Sequence, residues 1–148
     1  MMEIWNDLEN PEIIGKDKEL AHNTTIPYQN MENAQTEKPE NSMYYKNLNG
    51  EWRFHWVEKP EERPVDFYKM DFDDIYWKEI TVPSNWQLMG YGVPYYSDIK
   101  YPFRHKKKIS PPKIPHDYNP VGSYRLFFEI PDNWEDLEIG KCLFTLPV

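Results

Sequence analysis

Carboxyl groups are the most plentiful reactive side chains in this sequence, and by themselves they select no reaction. Two of them held face to face can serve as general acid and general base. With 25 Asp and Glu in 148 residues, however, neighbouring carboxylates arise by number alone. Asp71-Phe-Asp-Asp74 and Glu135-Asp-Leu-Glu138 read most simply as solvated faces and turns. The four histidines, His22, His55, His105 and His116, lack metal-ligand spacing and have no cysteine or second histidine at hand, so none is read as a ligand. The lone cysteine, Cys142, excludes an internal disulfide and fits a reducing compartment. Arg104-His-Lys-Lys-Lys108 is a short basic run in an acidic chain, whereas a nucleic-acid surface wants a wider basic patch. A solvated loop is the simpler reading.

The densest set of special residues lies in Val82-Pro-Ser-Asn-Trp-Gln-Leu-Met-Gly-Tyr-Gly-Val-Pro-Tyr-Tyr-Ser-Asp-Ile-Lys-Tyr-Pro-Phe103. Pro83, Pro94 and Pro102 remove backbone donors and drive the preceding residue toward extended conformations. Gly90 and Gly92 permit turns closed to other residues. Trp86, Tyr91, Tyr95, Tyr96, Tyr101 and Phe103 offer broad apolar faces with polar edges. Such a segment reads as an ordered loop on a β scaffold, where function tends to sit. Trp86 and the tyrosines have the chemistry of sugar-stacking platforms, but a Trp inside Pro-Ser-Asn-Trp-Gln is more simply a packed anchor.

The elements that must hold this loop are short strands. Trp52, Phe54 and Trp56 alternate with Arg53, His55 and Val57, the period-2 pattern of a half-buried strand, directly after an Asn49-Gly50 turn signal. Lys59-Pro-Glu-Glu-Arg-Pro64 closes that strand as a polar loop. Residues 66–77 suit a short helical turn or two. Glu79-Ile-Thr-Val82 is a short strand stopped by Pro83, and residues 104–120 form a Pro- and Lys-rich loop. Tyr124-Arg-Leu-Phe-Phe-Glu-Ile130 is the clearest strand of the second half, ended by a turn at Pro131-Asp-Asn-Trp134. Five or six strands with little helix predict an all-β sandwich. Residues 1–45 show neither period and read as an extended arm that lies on a larger protein through Trp5, Ile13, Ile14, Ile26 and Tyr28.

Composition narrows the partners. The net charge of -8 and a pI near 5.0 argue against nucleic acid and anionic membranes. No apolar run approaches the length of a transmembrane helix. The opening residues lack the basic region and apolar stretch of a signal peptide, so a cytoplasmic location is expected. Aromatic residues make up 16% of the chain while mean hydropathy is -0.86, so rings must do the burying amid polar loops.

Four stretches, in order, carry a resemblance. Trp5-Asn-Asp-Leu-Glu-Asn-Pro-Glu12, Leu48-Asn-Gly-Glu-Trp-Arg-Phe-His-Trp56, the 82–103 segment and Asn119-Pro-Val-Gly-Ser-Tyr-Arg125 together resemble the N-terminal region of glycoside hydrolase family 2 β-galactosidases. The resemblance implies an arm over residues 1–45, then a sugar-binding domain over 46–141. That domain would be a jelly-roll sandwich of the galactose-binding type, here incomplete, since a jelly roll needs about eight strands. It also implies that Asp98, with Ile99 beside it, reaches the active site as a sugar contact, the acceptor carboxylate binding neighbouring hydroxyls. Retaining glycosidases need two carboxyl groups about 5–5.5 Å apart. In this family both lie in a later barrel, so no catalytic residue is carried over. Members are commonly homo-oligomers using Mg²⁺, and often Na⁺, but no ligand for either is assigned in this chain.

Residues 142–148 depart from the family pattern. Removing one base from one possible back-translation of the expected Val-Phe-Ile-His-Phe-x-Gly-Val yields Cys-Leu-Phe-Thr-Leu-Pro-Val, residues 142–148 as they stand. The expectation is a frameshifted tail after Lys141. The leading reading is therefore a catalytically inactive portion of a β-galactosidase acting on β-galactosides such as lactose, with the remaining domains of the parent enzyme as its partners. A free-standing carbohydrate-binding module and a non-functional truncated remnant are the alternatives.

Overall fold

A central strand organises the regular structure because its two rows of side chains differ. In the computed structural model, which describes residues 3–16, 20–21, 23, 25–94 and 110–134, strand β1 spans Gly50–Val57. Strand β2, Lys78–Val82, and strand β3, Val121–Arg125, pair with it from opposite sides, both antiparallel, in the order β2-β1-β3. The register places Trp52 opposite Ile80 and Phe54 opposite Tyr124. The first half of β1 pairs with β2 and the second half with β3, overlapping at Arg53 and Phe54. The regular structure is thus an antiparallel β-sheet with a few short helices, the all-β class expected.

Phe54 and Ile80, each 1% exposed, form the centre of the core, with Trp77 buried nearby. Full burial of side chains of this size is worth about 1.5–3 kcal/mol each. The alternation of β1 divides the aromatic residues cleanly. Trp52, Phe54 and Trp56 share one face, while Arg53 and His55 share the other, as period 2 requires.

Each face has its own cover. Residues 66–77 lie over the Arg53/His55 face. They form successive turns instead of helix, with Lys69, Phe72 and Trp77 N–H groups donating to the carbonyls of Asp66, Lys69 and Asp74. Trp77 stacks on His55 with ring centroids 5.3 Å apart, and Phe67 and Phe72 pack against Trp77. Residues 83–94 cover the opposite face through Trp86 and Tyr91, both against the Phe54 ring.

The third strand differs from the sequence expectation. Its apolar run places a strand at Tyr124–Ile130, but the ladder occupies Val121–Arg125. Phe127, Phe128 and Ile130 stay about half exposed. At the start of this ladder Gly122 fits under close neighbours where a larger side chain would not. Of the five or six strands expected, three are present among the described residues.

The chain divides into two compact units, Met1–His22 with Asn49–Leu126, and Asn23–Leu48 with Phe127–Val148. In the first, helix α1, Glu3–Leu8, accompanies the sheet. The second is built from polar turns. Helix α2, Met31–Ala34, is capped by Asn30, whose side chain accepts from the Asn33 N–H at 2.8 Å. Ser42 Oγ donates to the Pro27 carbonyl at 2.6 Å, and Trp134 Nε1 donates to the Met43 carbonyl at 2.7 Å. Lys46 Nζ donates to the Glu129 carbonyl. Among its described residues, the region expected as an arm thus carries three short helical elements, α1, α2 and a 3-10 turn at Pro39–Asn41.

Candidate functional site

The segment singled out by sequence begins as a tightly wound loop on the aromatic face of the sheet. Asn85 starts it as an Asx turn, its Oδ1 accepting from the Gln87 N–H at 3.1 Å. The Trp86 carbonyl then accepts from both Met89 and Tyr91 N–H groups, at 3.0 and 3.1 Å. Gly90 and Gly92 take φ values of 92° and 71°, the left-handed region that glycine enters without strain. Trp86 is packed, as expected of an anchor, at 5.9 Å from Phe54. Tyr91 meets the same ring edge-on at 4.7 Å. The described aromatic residues of this face are therefore largely committed to packing. Asp98 and Ile99, the proposed sugar contacts, lie outside the described residues, as do His22, His105, Cys142 and the expected frameshifted tail.

On the other face, Arg125 is the residue that the sequence reading missed. It is 8% exposed, and its guanidinium donates to Asp74 Oδ2 at 2.5 Å and to the carbonyls of Phe72 and Lys69 at 3.2 and 2.9 Å. It also sits 5.4 Å from the Phe72 ring centroid. The planar, five-donor guanidinium suits this set of acceptors in a way an ammonium would not. Arg125 stands directly opposite Arg53 across the β1–β3 ladder. Like charges in that position repel, so each cation has its own acceptors. Arg53 donates to the Trp77 carbonyl and lies 3.8 Å from Glu79. Asp74, expected to be merely solvated, is thus an ion-pair partner, whereas Asp73 behaves as a turn residue by accepting from the Ile75 N–H.

A second cluster joins helix α1 to residues 114–116. Trp5 stacks on the His116 ring, centroids 3.6 Å apart and planes within 10°. Glu9 Oε1 lies 2.7 Å from His116 Nε2 and accepts from the Ile114 N–H at 3.1 Å. The hydrogen bond from His116, then that from Ile114, hold the Glu9 carboxyl below its ordinary value. Trp5 and Glu9 stand four residues apart, one turn of helix, and that spacing is the only signal of the pairing in the sequence. On the aromatic face, burial raises the Tyr124 hydroxyl above its ordinary value.

Among the described residues, no group of three or more His, Cys, Asp or Glu side chains is placed to hold a metal ion. The charged groups just described are used against one another or against backbone, as structural clamps. What they support is a platform that presents the 83–94 loop.

The described residues form an antiparallel sheet with both faces covered, one of them by a loop rich in Pro and Gly. The family follows from comparison. The sequence model described as "Glycosyl hydrolases family 2, sugar binding domain" matches residues 45–144. The chain belongs to the glycosyl hydrolase family 2 sugar-binding-domain family. It is 39% identical over 132 residues to a protein named beta-galactosidase from Priestia megaterium, covering 89% of this chain and 13% of that protein. A beta-galactosidase of Halalkalibacterium halodurans is 42% identical over 113 residues, covering 76% of this chain and 11% of its own length. A third, from Psychromonas ingrahamii, is 41% identical over 130 residues, covering 88% and 12%. The chain spans about an eighth of the length of these curated relatives.

Proposed function

We propose that this chain is a portion of a β-galactosidase that hydrolyses terminal non-reducing β-D-galactose residues, lactose among its substrates, and that the 148 residues alone are inactive. The match of residues 45–144 to a family 2 sugar-binding domain carries this reading. The role of the segment is to present the 82–103 loop to a sugar, with Asp98 accepting from galactose hydroxyls and Ile99 lining its flank. The jelly-roll form, the homo-oligomeric state, the use of Mg²⁺ and Na⁺, and the cytoplasmic location belong to the same reading of the full-length enzyme.

Two assays test it. The purified chain is expected to give no turnover of a chromogenic galactoside. Residues 1–141 joined to the remaining domains of the Priestia megaterium relative are expected to restore hydrolysis. In that chimera, Asp98→Ala should raise KM about ten- to a hundredfold, the range for loss of a charged hydrogen bond. A chimera that turns over no galactoside, or a KM indifferent to Asp98, sinks the reading.

A further inference from the structure

Gly122 is the one glycine of the described sheet interior where space, and not backbone conformation, forbids a side chain. Its φ lies outside the left-handed region. A Cβ built there would run into the six-membered ring of Trp86 and the edge of Phe54. Glycine within a strand commonly marks such a close approach. Gly122 faces Trp56 across the ladder, so the missing side chain leaves a slot on the aromatic face. Trp86, arriving from the loop, fills it. From that ring the loop is wound: the Trp86 carbonyl accepts from Met89 and Tyr91, and the Tyr91 ring returns to Phe54. The far end closes on the same face, where a Cβ at Gly92 would come into ordinary contact with Trp56 and the Tyr118 hydroxyl.

We infer that Trp86 seated over Gly122 is the contact that positions residues 87–94 on the sheet, and that these two are positioning residues for the proposed sugar site. The slot and the ring are complementary, so neither sets the loop without the other. The inference rests on the sugar-presenting role of this segment, and the two are separable by experiment.

Amide hydrogen exchange on the full chain reads the contact directly. Gly122→Ala should unseat Trp86 and speed exchange at Leu88, Met89 and Tyr91 by about tenfold or more, as expected for overpacking a filled site. Amides of the β1–β2 ladder should change less, since only the Phe54 edge there adjoins the new methyl. Adding Trp86→Leu to Gly122→Ala relieves the clash with the ring but not the one with the Phe54 edge, and should recover only part of the protection. Unchanged exchange in Gly122→Ala overturns the inference, as does a double variant no better protected than the single one. In the chimera, Gly122→Ala should raise KM for a galactoside by more than it lowers kcat, with partial rescue in the double variant. A KM that responds to Asp98→Ala but not to Gly122→Ala overturns the positioning role alone. A KM indifferent to Asp98, with the exchange pattern as expected, removes the sugar-site reading and leaves the contact standing.

Discussion

The two covers of the sheet are held by opposite kinds of interaction. Residues 66–77 are tied down by a cation: Arg125 reaches Asp74 and two backbone carbonyls, beside the Trp77–His55 stack. Residues 83–94 are tied down by rings fitted into a glycine slot. The polar clamp is directional and unforgiving of lost partners, since a buried charge or carbonyl left unpaired costs its full desolvation. The aromatic seat is non-directional and depends on volume. The lesson is that one strand pair, β1 and β3, supplies both devices by alternation: Gly122 and Tyr124 lie on one face, Ser123 and Arg125 on the other.

Removing the shared centre should give the largest effect. Phe54→Ala empties one of the most buried positions and takes away the surface on which both Trp86 and Tyr91 rest. A loss of about 3–5 kcal/mol is expected by chemical denaturation. Next comes Arg125→Met, which keeps the volume and abandons Asp74 and two carbonyls. A loss of about 3 kcal/mol is expected, with exchange rising at Phe72 and Trp77 while Tyr91 stays protected. Equal loosening of both covers would break the comparison. Arg125→Lys sharpens it: one ammonium cannot serve three acceptors set around a plane, so a loss of about 1–2 kcal/mol should remain.

The smallest effect concerns the cluster on helix α1. Because the Glu9 carboxyl is held below its ordinary value, its contribution is complete above the usual carboxylate range and is lost as pH falls through the lowered value. The Ile114 amide should therefore exchange faster, relative to its unfolded rate, in acid than at neutral pH. Glu9→Gln should remove that dependence. An Ile114 amide with the same protection in both variants at every pH contradicts the role given to Glu9.

The sequence was legible where local pattern and burial agree. The alternation Trp52, Phe54, Trp56 placed β1, and Pro83 placed the end of β2. Pro-Ser-Asn-Trp-Gln correctly suggested an anchored Trp86. The four ordered motifs led to the family, which the match over residues 45–144 bears out. It was illegible where a partner lies far along the chain. Arg125 stands 51 residues from Asp74, and His116 lies 107 from Glu9. Nothing in the neighbourhood of Asp74 distinguishes it from the solvated Asp71. The apolar run at 124–130 pointed to a strand too far along, because hydrophobicity reports burial preference and not hydrogen-bonded register.

By itself, then, the sequence determined the class of fold, the family and the segment on which function is proposed to rest. The class of fold and the segment follow from residue type and short spacing, which sterics and hydrophobicity read locally, and the family follows from the resemblance of the four ordered motifs. Only the tertiary structure decided that Gly122 is a slot for Trp86, that Arg125 closes the opposite face, and that Trp5 and Glu9 meet His116. Those choices depend on which strands pair and in what register. Register is a collective property: it is set by how all the side chains on both faces fit at once, and no local window contains it.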